Sequence, residues 1–177
     1  MSTNEQTATT PHATPLIADG VWRLDRAHSS VAFHVRHFYG LMTVKGEFAD
    51  YEGTLDLSAA PAVELTIRAA SLNTNQSKRD EHLRSKDFFD VEHHQQVRFA
   101  SETASFNRGT LHVRGQLHAA GREMPLELDV TVREIDGELE IEAVTEADHR
   151  ELGMTWSPLG ILRAPSKLIV RGRLVRS

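Results

Sequence analysis

A chain of 177 residues with a formal net charge of −5 and no cysteine is long enough for one domain with a substantial core and short for two. The lack of cysteine excludes a disulfide framework, a thiolate nucleophile and a Cys-ligated metal, and the mixed, mildly acidic charge argues against nucleic acid as a partner. No stretch approaches the ~20 apolar residues that a membrane-spanning helix needs.

Residues 1–20, rich in Thr, Ala and Pro, lack the basic start and apolar run of a secretory signal. They predict a disordered tail on a cytoplasmic protein, although a periplasmic or secreted chain that had lost its signal would look similar. The domain proper is expected over 21–177. From Val31 the apolar residues fall on alternate positions: Val31, Phe33 and Val35 face one way, and Ala32, His34 and Arg36 the other. That is the period of a strand with one buried face, and the same face ends in a polar group, His37. After a Tyr39-Gly40 turn, Val44, Gly46 and Phe48 alternate with Lys45 and Glu47. Leu55 and Leu57 follow, and Val63, Leu65 and Ile67 alternate with Glu64, Thr66 and Arg68.

Ser77 to Asp87 breaks this alternation, and Ser77 with Asp80 three positions on resembles a capping box. A short helix is predicted near residues 77–87, with Phe88-Phe89 just past it, covering one end of the fold. Strands resume at Val97 and Phe99, then at Leu111, Val113 and Leu117, then at Leu126, Leu128, Val130 and Val132. Two more follow, at Leu139, Ile141 and Ala143 and at Leu168, Val170 and Leu174. Closely spaced strands with polar outer faces indicate an all-β antiparallel sandwich or barrel. A barrel would close by pairing the first long strand with the last, near Leu168–Leu174. Glu138, Glu140 and Glu142 either pair across strands with Lys167, Arg171 and Arg173 or stay separately solvated. Between Leu152 and Pro165 an apolar run is broken by Gly153, Pro158, Gly160 and Pro165. Too irregular for one strand, it reads as a plug over a barrel end or as a ligand entrance or homodimer contact around Trp156.

Chemistry-bearing residues are present without a convincing constellation. Asp25-x-x-His28-Ser29 has the residue types of a triad, but such close neighbours on an extended chain point apart, so turn hydrogen bonds are expected. Arg79-Asp80-x-His82 reads either as the acid–base pair of a small hydrolase or as an ion-pair and capping cluster. Of the ten histidines, His34, His112 and His118 face outward by parity, His93-His94 sit in a polar loop, and no metal-ligand spacing occurs. No metal, no cofactor and no phosphate or dinucleotide fingerprint is expected.

The run Trp22-x-Leu24-Asp25-x-x-His28-Ser29-x-Val31-x-Phe33-x-Val35-x-His37 resembles the start of YceI-family proteins. Val44-x-Gly46-x-Phe48, the Ser71-Leu72-Asn73-Thr74-Asn75 turn, Arg79-Asp80-x-His82-Leu83-x-Ser85-x-Asp87-Phe88-Phe89, Gly115-x-Leu117 and Leu152-Gly153 extend the resemblance over roughly residues 21–176. It implies a single antiparallel lipocalin-like β-barrel, no enzymatic activity, and a long apolar ligand, typically a polyisoprenoid or other amphiphilic lipid. Dimers are common in that family. His149-Arg150-Glu151-Leu152-Gly153 stands where Arg-x-Asp-Phe-Gly is common, and His93-His94-Gln95 replaces an aromatic-Pro pair.

A closed barrel of about eight strands is just wide enough to be filled by side chains or to hold one small ligand, and each buried methylene gains about 0.8 kcal/mol. An isoprenoid or fatty-acyl lipid is therefore expected to touch Val31, Phe33, Val35, Phe48, Leu65, Ile67, Phe88, Phe89, Phe99, Val113, Leu128, Val130 and Trp156. Its polar end would rest near His37, Arg79 or His82, since an unpaired buried head group costs several kcal/mol.

Overall fold

Strands form where the sequence alternates, because a period of two gathers every second side chain on one face of an extended chain. The computed structural model describes residues 17–37, 41–157 and 162–177, and only the backbone of 37 and 162–164. Among these residues, ten strands occur in order: β1 (Val21–His37), β2 (Met42–Phe48), β3 (Tyr51–Asp56), β4 (Ala62–Arg68), β5 (Leu72–Asn73), β6 (Gln96–Asn107), β7 (Thr110–Ala119), β8 (Arg122–Ile135), β9 (Glu138–Ala147) and β10 (Leu162–Arg176). One α-helix, α1 (Ser77–Arg84), lies between β5 and β6.

The sheet closes as the alternation predicts. β1 pairs antiparallel with β10 along one edge, from Trp22↔Arg176 through Phe33↔Leu168 to His37↔Leu162. Its other edge is shared: Val21–Arg23 pair with β3 and Val31–His37 with β2. The circuit β1-β3-β4-β6-β7-β8-β9-β10 is thus an eight-stranded antiparallel barrel, and β2 with the two-residue β5 extends its wall beside α1. The hairpins after β6, β7 and β8 turn on Arg108-Gly109, Ala120-Gly121 and Asp136-Gly137, with positive φ at both residues of each. Such turns match the twist of the flanking strands.

The Asp25–Ser29 segment builds a bulge in β1. Five steps separate Asp25 from Ser30, while their partners on β10, Arg173 and Arg171, are two apart. Asp25 Oδ1 accepts the Ala27 N–H at 3.0 Å, and Oδ2 lies 2.6 Å from His28 Nδ1. Ser29 Oγ accepts the Arg173 N–H at 3.2 Å. The predicted turn bonds are present, and the serine hydroxyl serves the β1–β10 seam. Gly172 belongs to this device, because a Cβ there would lie 2.3 Å from Ser29 Oγ.

One barrel end is packed solid. Trp22, Leu111 and Leu139 are fully buried there, and the Trp22 indole N–H donates to the Ala18 carbonyl at 3.3 Å. Ile17 and Ala18, assigned to the tail on composition, pack against this core, and Leu57 N–H donates to Gly20 O at 2.9 Å. Residues 1–16 lie outside the described residues.

The outer face is wet and charged. Arg171 reaches Glu142 at 2.7 Å, Arg173 reaches Glu138 at 3.1 Å, and Arg114 reaches Glu127 at 2.8 Å. The acidic and basic rows do pair, except that Lys167 takes no part among the described residues. A barrel that spans a bilayer turns an apolar band outward, whereas this one turns its apolar face in. Among the described residues no helix is long and apolar enough to cross a membrane.

The predicted capping box does not form. The helix begins after Gln76, which gives no side-chain cap, and Ser77 is already inside it. Asp80 instead turns back and is buried, accepting both the N–H and the hydroxyl of Thr74. The carboxylate is drawn to two donors of the preceding turn, where Asn75 takes a positive φ and Asn73 Oδ1 accepts its N–H at 2.8 Å.

Candidate functional site

The interior is not filled. A cavity of about 480 Å³ runs from the packed end toward α1, within the ~300–1,000 Å³ usual for small-molecule sites. Its apolar wall comes from every strand of the ring: Val31, Phe33 and Val35 of β1, Leu65 and Ile67 of β4, Phe99 of β6, Leu128 and Val130 of β8, with Leu55, Leu117, Ile141 and Leu168 from the rest. Phe33 and Phe48 pack 5.5 Å apart, and Phe89 meets Phe48 edge-on at 5.9 Å. The tip of the Phe33 ring also sits against Gly46, where a Cβ would come within 2.3 Å of it. Only glycine lets the ring seat there.

Six polar side chains on the wall gather at the helix end, Gln76, Lys78, Arg79, His82, His149 and Ser166, while Thr54, Glu64 and Thr145 stand on β3, β4 and β9. α1 is tied down over that end. Arg79 Nε donates to Thr74 Oγ1 at 2.7 Å and its terminal nitrogen to Thr74 O at 2.8 Å, while Arg84 Nε donates to Ala70 O at 2.9 Å. Arg79 has no carboxylate in ion-pair range among the described residues, so its charge is uncompensated at the cavity wall. The His82 ring stands edge-on to Trp156, 4.2 Å between centroids, and to Phe88, 5.2 Å. Its Nε2 lies 3.2 Å from Asp87 Oδ2. The Asp80–His82 pair of the hydrolase reading is therefore not formed: Asp80 is committed to Thr74, and another carboxylate faces His82.

Sequence reasoning missed the pair His149 and Ser166, which share a hydrogen bond of 2.8 Å. Burial pushes the His149 imidazole below its ordinary pKa, with Asp148 opposing the shift and Arg150 adding to it. The imidazole is thus neutral near pH 7 and offers the cavity a polar group without a charge. His149 sits in the turn after β9, clamped by Met154 N–H to His149 O at 3.1 Å and by Arg150 bonded to Asp148, whose carboxyl is held down at about 2. The irregular run after Leu152 divides. Leu152 and Met154 are buried, whereas Trp156 lines the cavity yet remains 42% exposed. Leu159 and Ile161 lie outside the described residues.

Of the residues predicted to meet a ligand, Val113 is buried in the core but does not line the cavity. Val113 lies in register between Ala104 of β6 and Leu128 of β8, and of the inward residues of β7 it is Leu111, Leu117 and Ala119 that reach the space. The side chain of His37 lies outside the described residues. The other fourteen line the cavity.

An antiparallel eight-stranded barrel with an enclosed apolar cavity and polar groups at one mouth is the architecture of a small-ligand-binding barrel. The chain belongs to the YceI-like domain family, whose model matches residues 22–170. A UPF0312 protein of Vibrio cholerae is 33% identical over 114 residues, covering 62% of this chain and 60% of the relative. A UPF0312 protein of Pseudomonas syringae is 32% identical over 121 residues, 66% of this chain and 62% of the relative. The chain thus spans about 60% of the length of the curated relatives it matches. Burkholderia cenocepacia BcnA shares the fold with a TM-score of 0.78 at 18% identity, covering 86% of this chain and 99% of BcnA. A polyisoprenoid binding domain from Saccharophagus degradans, implicated in plant cell wall breakdown, superposes with a TM-score of 0.73 at 10% identity, covering 90% and 100%.

Proposed function

We propose that this protein is a non-catalytic carrier of one long apolar amphiphile, a polyisoprenoid or fatty-acyl lipid, held with its tail in the barrel and its polar end at α1. The observation that carries the reading is the 480 Å³ apolar cavity whose basic and imidazole wall residues, Lys78, Arg79, His82 and His149, are grouped toward one mouth. That asymmetry is the shape of an amphiphile. A tail of about fifteen buried methylenes gains ~12 kcal/mol, against an association cost of ~4–15 kcal/mol, so affinity rises steeply with tail length. The uncompensated guanidinium of Arg79 suits an anionic head group, and the neutral His149–Ser166 pair suits an ester, carbonyl or hydroxyl. The polyisoprenoid named for the Saccharophagus domain supports the same ligand class.

Native mass spectrometry of freshly purified protein tests this. A reproducible lipid-sized adduct is expected, lost in Leu128→Trp, which fills the cavity, while circular dichroism stays that of an intact sheet. No adduct, together with no uptake of a dansyl-labelled fatty acid, overturns the reading.

A further inference from the structure

The outer face of β2, β1 and β10 beside the mouth departs from the ion-paired pattern of the rest of the barrel. Lys45, His34 and Lys167 occupy directly opposed positions on three adjacent strands. One outward position further toward the hairpin tip stands Arg36, whose register partner on β10 is Arg163. Like charges placed opposite one another destabilise a sheet, and neither Lys45 nor Lys167 forms an ion pair among the described residues. Glu146, the register partner of Lys167 on β9, and Glu47, one outward position below Lys45, leave both unpaired. The field is felt locally: burial first, then Lys45, Lys167 and Arg171, push the His34 imidazole below its ordinary pKa. In a chain of net charge −5, this concentration of cations is an exception.

Beyond the cations the apolar residues face water. Leu41 is 86% and Met42 59% exposed, and Met42 lies three residues, about 10 Å of strand, from Lys45. Trp156 stands half exposed at the mouth. Cations on the same wall as exposed Leu and Met side chains, with Trp156 at the mouth, are the chemistry of an interfacial contact, in which anionic head groups neutralise the basic residues while the apolar tips enter the acyl boundary.

We propose that this rim docks the barrel, mouth first, on an anionic lipid surface. The inference goes beyond cargo binding and stands on Lys45, Lys167, Leu41 and Met42, none of which lines the cavity; Trp156 alone is shared with the carrier reading. Docked this way, Trp156 and the cavity mouth would face the bilayer, and a lipid would pass between membrane and barrel with little exposure to water.

Flotation with vesicles of phosphatidylcholine alone, or of equal parts phosphatidylcholine and phosphatidylglycerol, tests it, with light scattering in parallel. The wild type is expected to float with anionic vesicles only and to be released by salt. Its Trp156 emission should shift to the blue while buried Trp22 stays silent. Lys45→Gln/Lys167→Gln should weaken partition roughly thirtyfold, each cation contributing about 1 kcal/mol near such a surface, and should leave thermal stability unchanged or raised, because two cations without ion-pair partners are removed. Leu41→Ser/Met42→Ser should weaken it too. Absence of flotation, equal flotation with both vesicles, or unchanged partition in the lysine variant overturns the proposal. So does a dimer that Leu41→Ser/Met42→Ser dissociates, which makes the rim a contact between two copies. Flotation is read without barrel cargo, so its failure leaves the carrier reading standing, and failure of the adduct test leaves docking standing.

Discussion

Replacing Gly46 with alanine tests whether the barrel interior is empty. The added Cβ would lie 2.3, 2.6 and 2.9 Å from three atoms of the Phe33 ring, so the ring must recede by about 1.1 Å to reach ordinary contact at 3.4 Å. In a filled core such overpacking costs ~1–3 kcal/mol. Here the ring can swing into the cavity, so the losses are part of the Phe33–Phe48 contact, ~0.5–1.5 kcal/mol, and some rotamer strain. Alanine returns ~0.5–1 kcal/mol in backbone entropy relative to glycine. The expected net loss is about 1 kcal/mol in urea unfolding. The displaced ring also takes ligand space. Losing about two methylenes of tail contact weakens binding of a dansyl-labelled fatty acid by ~1.6 kcal/mol, or about fifteenfold. Phe33→Leu in the Gly46→Ala background removes the clashing ring atoms, and the double-mutant cycle should show a coupling of at least ~1 kcal/mol. A loss above ~3 kcal/mol with fatty-acid affinity intact would mean that the ring has nowhere to go, and the open-barrel picture would be wrong.

His149 makes stability fall on mild acidification. Its folded pKa lies below the unfolded value, so below about pH 6.5 the unfolded chain binds a proton that the folded one refuses, and His149→Gln should flatten the stability-versus-pH curve there. His93, raised by Asp90, acts with the opposite sign, but it is exposed, so His93→Gln should change the curve little. Asp80→Ala should cost ~1–3 kcal/mol in thermal unfolding, because Thr74 loses its acceptor in a buried site, and the cost should shrink in a Thr74→Val background. Arg79→Met should weaken binding of a fatty acid but not of its methyl ester; equal loss for both would remove Arg79 from the head group. Glu142→Gln should move stability by less than ~1 kcal/mol, since its pair with Arg171 is exposed, and a larger change would show that the outer ladder matters to folding.

Alternation made most of the barrel legible. Val31-Phe33-Val35, Leu126-Leu128-Val130 and Leu168-Val170 each show which face is buried, and their inward residues do surround the cavity. Parity speaks of faces, however, and not of what stands opposite. Val113 shares the inward face of Leu117 but misses the cavity, and Ile169 has outward parity yet is buried and is among the residues that line the cavity. His149 escaped notice because it lies in a turn, where periodicity is silent. Its partner Ser166 was nearer to hand, two positions before Leu168 and so on the inward face. Ser77 and Asp80 misled for a related reason. Their spacing fits a cap, but which residue precedes the first helical turn is decided by the buried Thr74 donors, and these draw Asp80 away.

The uneven fastening of the mouth bears on how long a guest stays. On one side, α1 is held through Thr74, Ala70 and Leu72 by Asp80, Arg79 and Arg84, bonds that must break together for the helix to lift. On the other side, Thr155 and Trp156 have no regular secondary structure, and among the described residues Trp156 leans on His82 and Phe88 through ring contacts. Segments with few backbone bonds open at low free-energy cost. Residence time is then governed by the swing of one indole, and off-rates should respond to substitution at position 156 while equilibrium affinity for the tail, set by the walls below, stays nearly constant. In amide exchange the backbone at Trp156 should open quickly and the 72–85 clamp slowly, the kinetic signature of a door hinged on a single side.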